Sequence, residues 1–191
     1  MDIRPTELTD DQQAQFDQHI RGLFDRLLDE VEIILEEIES PELQDLTYKL
    51  AFKPNDVLPK RHSRPQVTIA HLTEQVYLAH GGDDAARRKL LRFAIVVQEY
   101  YDTLDDIVDG DVADGHEPQA MVVTQLMMPL MMRMLGRLGP DALDYWTSRA
   151  LRMVESLYLE KCREKSFESY LSSLEQQSYF FGFATGLAAV V

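Results

Sequence analysis

Apolar residues recur at three- and four-residue intervals along almost the whole of this chain, and no window alternates with the two-residue period of a half-buried strand. That periodicity makes the fold class all-α. Thr9 followed by Gln12 forms a capping box ahead of a long amphipathic helix carrying Phe16, Ile20, Leu23, Leu27, Val31 and Ile34, interrupted at Ser40 and Pro41. A short helix is expected to reach about Phe52. Residues 53–65 hold three prolines and four Lys/Arg side chains, so they read as a basic loop. A helix over about 65–80 then ends at Gly81 and Gly82, and Asp83 caps a long helix reaching Asp109, where Gly110 stops it. Helices over about 118–138 and 140–161 follow, and Ser166 caps the last one. The Met-rich run 126–134, which contains Pro129, reads as core, with a pocket for a flexible apolar ligand as the alternative. The apolar end of the chain, residues 180–191, carries no stop signal, and the helix is expected to continue toward partner helices beyond it.

A chain of 191 residues buries one core of ordinary size, so residues 1–191 are expected to form a single domain. One cysteine, Cys162, excludes a disulfide framework and a Cys-rich zinc site. With a polar start and no signal pattern, a reducing, cytoplasmic setting is the expectation. No run approaches the roughly 20 apolar residues of a membrane span. A net charge of −14 disfavours nucleic acid and anionic lipid as direct partners.

The chemistry concentrates before Gly110. Advanced by about 100° per residue, Gln98, Asp102, Asp105, Asp106 and Asp109 fall on one helical stripe. Asp105 and Asp109 stand one turn apart, a spacing that lets both carboxylates reach one hard cation. The rest of this helix is apolar (Ile95, Val96, Val97, Leu104, Ile107, Val108), as if it lay inside a bundle, where uncompensated carboxylates are expensive and a metal would answer them. A solvated acidic helix end is the plain alternative. An EF-hand is excluded because Asp109, Asp111 and Asp114 lack the alternating ligand spacing and Ala113 takes a ligand position. His62, His71, His80 and His116 lack zinc-site spacing. The basic run Lys60, Arg61 and Arg64 is either a solvated loop or a phosphate cradle.

Taken in order, these segments resemble the trans-isoprenyl diphosphate synthases, the polyprenyl synthetase family, from about residue 50 to the end. Lys60-Arg61-His62-Ser63-Arg64-Pro65 is similar to the family's Gly-Lys-Arg-x-Arg-Pro segment, with Pro59 in place of the glycine. Asp105-Asp106-Ile107-Val108-Asp109 resembles its first DDxxD motif, Gln98 stands where the family has a His or Gln, and Tyr170-Leu171 resembles its YL signature. The resemblance implies an isoprenoid-synthase-like helical bundle, lacking its last helices, and a homodimer. It implies Mg²⁺-dependent condensation of isopentenyl diphosphate with an allylic prenyl diphosphate: Asp105, Asp106 and Asp109 catalytic, Asp105 and Asp109 holding Mg²⁺, and Lys60, Arg61, Arg64 and Gln98 binding isopentenyl diphosphate. Tyr100 and Tyr101 would floor the pocket that limits the product to fifteen or twenty carbons. Departures accompany it: Ala113 and Asp114 stand where the family has Arg-Arg, Gln177 and Ser178 where it has Lys-Thr, and no second aspartate-rich motif follows. A non-catalytic protein of the same fold acting through protein contacts, and an acidic helical interaction module, are the alternatives.

Overall fold

The computed structural model describes residues 9–52, 67–162 and 166–191, and every regular element among them is helical. Helix α1 spans Asp10–Leu35, α2 Pro41–Thr47, α3 Val67–Ala79, α4 Asp84–Asp109, α5 Glu117–Leu138, α6 Pro140–Cys162 and α7 Phe167–Ala188. Residues 53–66 fall outside the description, and with them the expected basic loop. Among the described residues no helix is long and apolar enough to cross a membrane.

The helix ends follow local chemistry. The Thr9 hydroxyl accepts from the Gln12 amide at 3.3 Å while the Gln12 side chain accepts from the Thr9 amide at 3.0 Å, closing the capping box. Asp83 accepts from the Ala85 and Ala86 amides, both at 2.9 Å, and Gly110 ends α4 in the left-handed region at φ 71°. Ser166 caps α7 through the Ser169 amide at 3.1 Å. Two boundaries differ from expectation. Helix α1 ends at Leu35, before Ser40, because Ile38 turns back through its amide to the Leu35 carbonyl and buries beneath the chain. The short helix widens into a π-helical turn over Tyr48–Phe52, which sets Leu50, Ala51 and Phe52 into the core together.

Five helices form a closed circuit: α3 packs on α4, α4 on α5, α5 on α6, α6 on α7 and α7 back on α3, with α1 across α3 and α4. Central to the packing is α4, buried at every position from Leu90 to Glu99 except Arg92. Phe93 meets Trp146 of α6 edge-on at 5.7 Å. The Met-rich run divides: Met127, Met131 and Met134 are core, whereas Met128 and Met132 face outward. The α3–α4 connection needs its glycines, since Gly81 has φ 79° and a Cβ on Gly82 would sit 2.1 Å from the ring of buried Tyr77.

Two buried carboxylates tie α1 and α3 to the first turns of α4. Glu30 accepts from Arg88 Nε at 2.7 Å and from Arg92 Nε at 2.5 Å. Glu74 pairs with Arg87 and, at 3.4 Å, with Arg26. Removing Glu30 leaves two guanidiniums that still reach water in part, so the loss sits below that of a fully buried pair. Glu30→Ala is expected to lower unfolding free energy by about 1–3 kcal/mol, read as a lower urea midpoint at unchanged m-value; an unmoved midpoint would show that the pair adds nothing.

Candidate functional site

The last four turns of α4 carry the predicted site residues, which run from a buried first residue to an exposed last one. Gln98 is 1 % exposed, Asp102 and Asp106 are half-buried, and Asp105 and Asp109 are exposed. The expectation of carboxylates held inside the bundle is therefore corrected for Asp105 and Asp109. Ile95, Val96 and Val97 are indeed core, but Leu104 and Ile107 are only half-buried and Val108 is 44 % exposed, because the helix emerges from its neighbours one turn before Gly110 stops it. The acids stand at a rim. None of Asp102, Asp105, Asp106 and Asp109 is without a partner.

Gln98 lies at the deep end of this stripe, and among the described residues neither its amide nitrogen nor its amide oxygen has a hydrogen-bond partner. A buried amide left unpaired costs about 1–3 kcal/mol, which makes such a group rare unless something else satisfies it. Beside it, Glu99 is also buried and continues the stripe along the edge that carries Asp106. Sequence reasoning missed Glu99. The available signal was a second polar residue directly after Ile95-Val96-Val97, in a stretch that periodicity alone makes core. Thr103 does not join the polar surface, since its hydroxyl donates to the Glu99 carbonyl at 2.7 Å.

Tyr100 and Tyr101 meet edge to face with ring centroids 5.0 Å apart, and both pack against the core. Helical spacing puts Tyr101 one turn before Asp105, next to the stripe, and Tyr100 toward the far side. Burial raises the Tyr100 phenol pKa. Burial first, and the neighbouring Tyr100 second, raise that of Tyr101 further. Lys60, Arg61 and Arg64 lie outside the described residues, so their placement relative to the aspartates does not enter the geometry.

As ligands, Asp105, Asp106 and Asp109 offer the hard oxygen donors that Mg²⁺ prefers, one turn apart at an open rim. Among the described residues no three acidic, His or Cys side chains converge closely enough to enclose a metal ion by themselves. Two carboxylates at an open rim would leave most of a cation's shell to water or to the oxygens of a ligand. Compared with protein-family models, curated proteins and solved structures, the chain has no match in any of the three.

The tyrosine pair generates a pH prediction. A phenol whose pKa is raised in the folded state stabilises the fold fully below its unfolded pKa of about 10, and that contribution is lost as pH rises toward the folded value. Unfolding free energy should thus fall above about pH 10, and Tyr101→Phe should flatten that fall. A parent and a Tyr101→Phe variant that lose stability in parallel between neutral and alkaline pH would contradict it.

Proposed function

We propose that the α4 stripe binds two diphosphate esters, with Asp105 and Asp109 holding Mg²⁺ for an allylic prenyl diphosphate and Gln98 contacting isopentenyl diphosphate, and that the protein is a Mg²⁺-dependent prenyltransferase joining the two. The observation that carries this reading is the buried, unpartnered amide of Gln98 on the same helical face as the rim carboxylates. An acidic helix end alone would be ordinary surface. An amide that the fold leaves unsatisfied, two turns below Asp105 and three below Asp109, supplies a donor and an acceptor for a ligand.

Bound there, Mg²⁺ would neutralise the departing diphosphate, the charge term that makes ionisation of an allylic ester feasible. Asp105 and Asp109 would hold the cation, and half-buried Asp106 would bias their carboxylates toward it by repulsion from the adjacent position. Gln98 would donate to one oxygen of the isopentenyl diphosphate and keep it deep. Tyr101, next to the stripe, would bound the apolar side of the space that the growing chain occupies, with the Tyr100 ring packed edge-on against it. A second reading, the same scaffold binding without turnover, is favoured by Ala113 and Asp114, which withhold two cations from the loop after α4.

Binding is tested by thermal shift, because a ligand that binds only the native state raises apparent stability. Mg²⁺ with isopentenyl or geranyl diphosphate should raise the melting temperature of the parent and not of an Asp105→Ala, Asp109→Ala double variant. Gln98→Leu should move the two quantities in opposite directions. Removing the unsatisfied amide adds about 1–3 kcal/mol of unfolding free energy without ligand, while the ligand-induced shift shrinks. An absent shift in the parent, or an equal one in the aspartate double variant, rejects the binding site. Binding without product in a radiolabelled condensation assay separates the second reading from the first.

A further inference from the structure

From Asp10 to Gly22 every residue of α1 is exposed except half-buried Ile20, and the buried side chains of that helix begin only at Leu23. This outer half reaches α3 at His19, whose ring stands edge-on to that of His71 with centroids 6.0 Å apart and planes at 72°. Neither neighbourhood in the sequence announces the pair, because the two histidines belong to different helices. His71 sits in a defined setting. Its Nδ1 is buried without a hydrogen-bond partner among the described residues and lies 3.7 Å from Glu74 Oε2, just beyond hydrogen-bond reach. Glu74 is held where it is by Arg87 and, at 3.4 Å, by Arg26. The His71 side chain is nonetheless 31 % exposed, so its open edge lies away from Nδ1 and leaves Nε2 as the nitrogen available to a ligand.

We propose that His19 and His71 bind a divalent transition-metal ion of the Zn²⁺ class, and that this bridge fastens the outer half of α1 to α3. Imidazole nitrogen suits such ions, whereas carboxylate and water oxygens suit Mg²⁺, so the pair takes a different metal from the aspartate rim. With metal–nitrogen bonds of about 2.0–2.1 Å and a tetrahedral angle, two imidazole centroids on one ion stand about 5 Å apart. The 6.0 Å separation closes to that by small side-chain rotations. A metal on Nε2 of His71 fixes the ring proton on Nδ1 and draws it onto the Glu74 carboxylate, the usual outer support of a metal-bound histidine. Among the described residues no third acidic, His or Cys side chain converges on the pair, so water completes the shell and the ion exchanges freely. This site stands independently of the diphosphate reading, since both ligands lie outside α4.

Calorimetric titration of the full chain with Zn²⁺, without Mg²⁺ or diphosphate, tests the site. One ion per chain is expected, with a dissociation constant of about 10–100 µM that rises at least about tenfold in His19→Ala and in His71→Ala. His19 is exposed, so its replacement leaves the core untouched. Cys162→Ser and the Asp105→Ala, Asp109→Ala double variant should keep the site. Zn²⁺ should also slow hydrogen exchange at the backbone amides of residues 14–22 in the parent and not in His71→Ala, while Mg²⁺ should leave that exchange unchanged. A parent that takes up no Zn²⁺ at about 1 mM, or an affinity unmoved by both histidine variants, overturns the proposal. So does binding that is lost in Cys162→Ser instead, which would place the metal elsewhere. Zn²⁺ held by both histidines with exchange in α1 unaltered would overturn the fastening of α1 to α3.

Discussion

Everything in this structure hangs on the burial of the middle of α4. From Leu90 to Val97 every residue of that helix except Arg92 is buried, with α1, α3 and α5 as its walls and Trp146 of α6 against Phe93. At about 1.5–3 kcal/mol per fully buried large apolar side chain, this segment contributes more to stability than any surface interaction described above. Its rigid placement has a consequence for the residues that follow in register. Gln98 and Glu99 are carried into the interior by the same helix that Ile95, Val96 and Val97 anchor, whatever polar cost they bring. The exit of α4 toward Gly110 then brings Asp105 and Asp109 to the surface while Asp102 and Asp106 stay half-buried.

The opposite end of α4 meets a different constraint. In a chain with 33 acidic and 19 basic side chains, cations that hold helices together cannot be spread thinly. Arg87, Arg88 and Arg92 stand within the first three turns of α4 and answer Glu30 of α1 and Glu74 of α3, while Arg133 and Arg137 of α5 answer Glu37. The arginine fork suits this work because one guanidinium reaches two acceptors, as Arg87 does with Glu74 and Asp84. One long helix thus has a cationic, structural beginning, an apolar middle and an acidic end.

Much of this was legible in the chain because much of it is local. The capping residues Thr9, Asp83 and Ser166 and the stop at Gly110 act within four residues of themselves, so reading them needs no tertiary information. The all-α character follows from the same short-range periodicity. What stayed hidden depends on distance. Glu30 meets Arg88 across 58 residues, and nothing in either neighbourhood announces it. The π-helical turn at Tyr48–Phe52 exists because three consecutive residues are pulled into one core. At the candidate site the sequence shows which residues share a face but not how deep each lies, since depth is set by where α3 and α5 stop covering α4. That is why Asp105 and Asp109 emerge at a rim rather than in an interior, and why Glu99 escaped notice.

The central claim is that the stripe from Gln98 to Asp109 is one ligand surface. Its most direct test is the side-chain amide of Gln98 itself, observed by ¹⁵N–¹H correlation NMR and assigned by its disappearance in Gln98→Leu. Titration of the protein with isopentenyl diphosphate in the presence of Mg²⁺ should move this NH₂ pair downfield along a saturable curve, as a free amide proton gains an anionic acceptor. An NH₂ pair that keeps its position throughout, at ligand concentrations that shift the backbone amides of residues 105–109, would contradict the account and leave Gln98 as an unsatisfied group of the core.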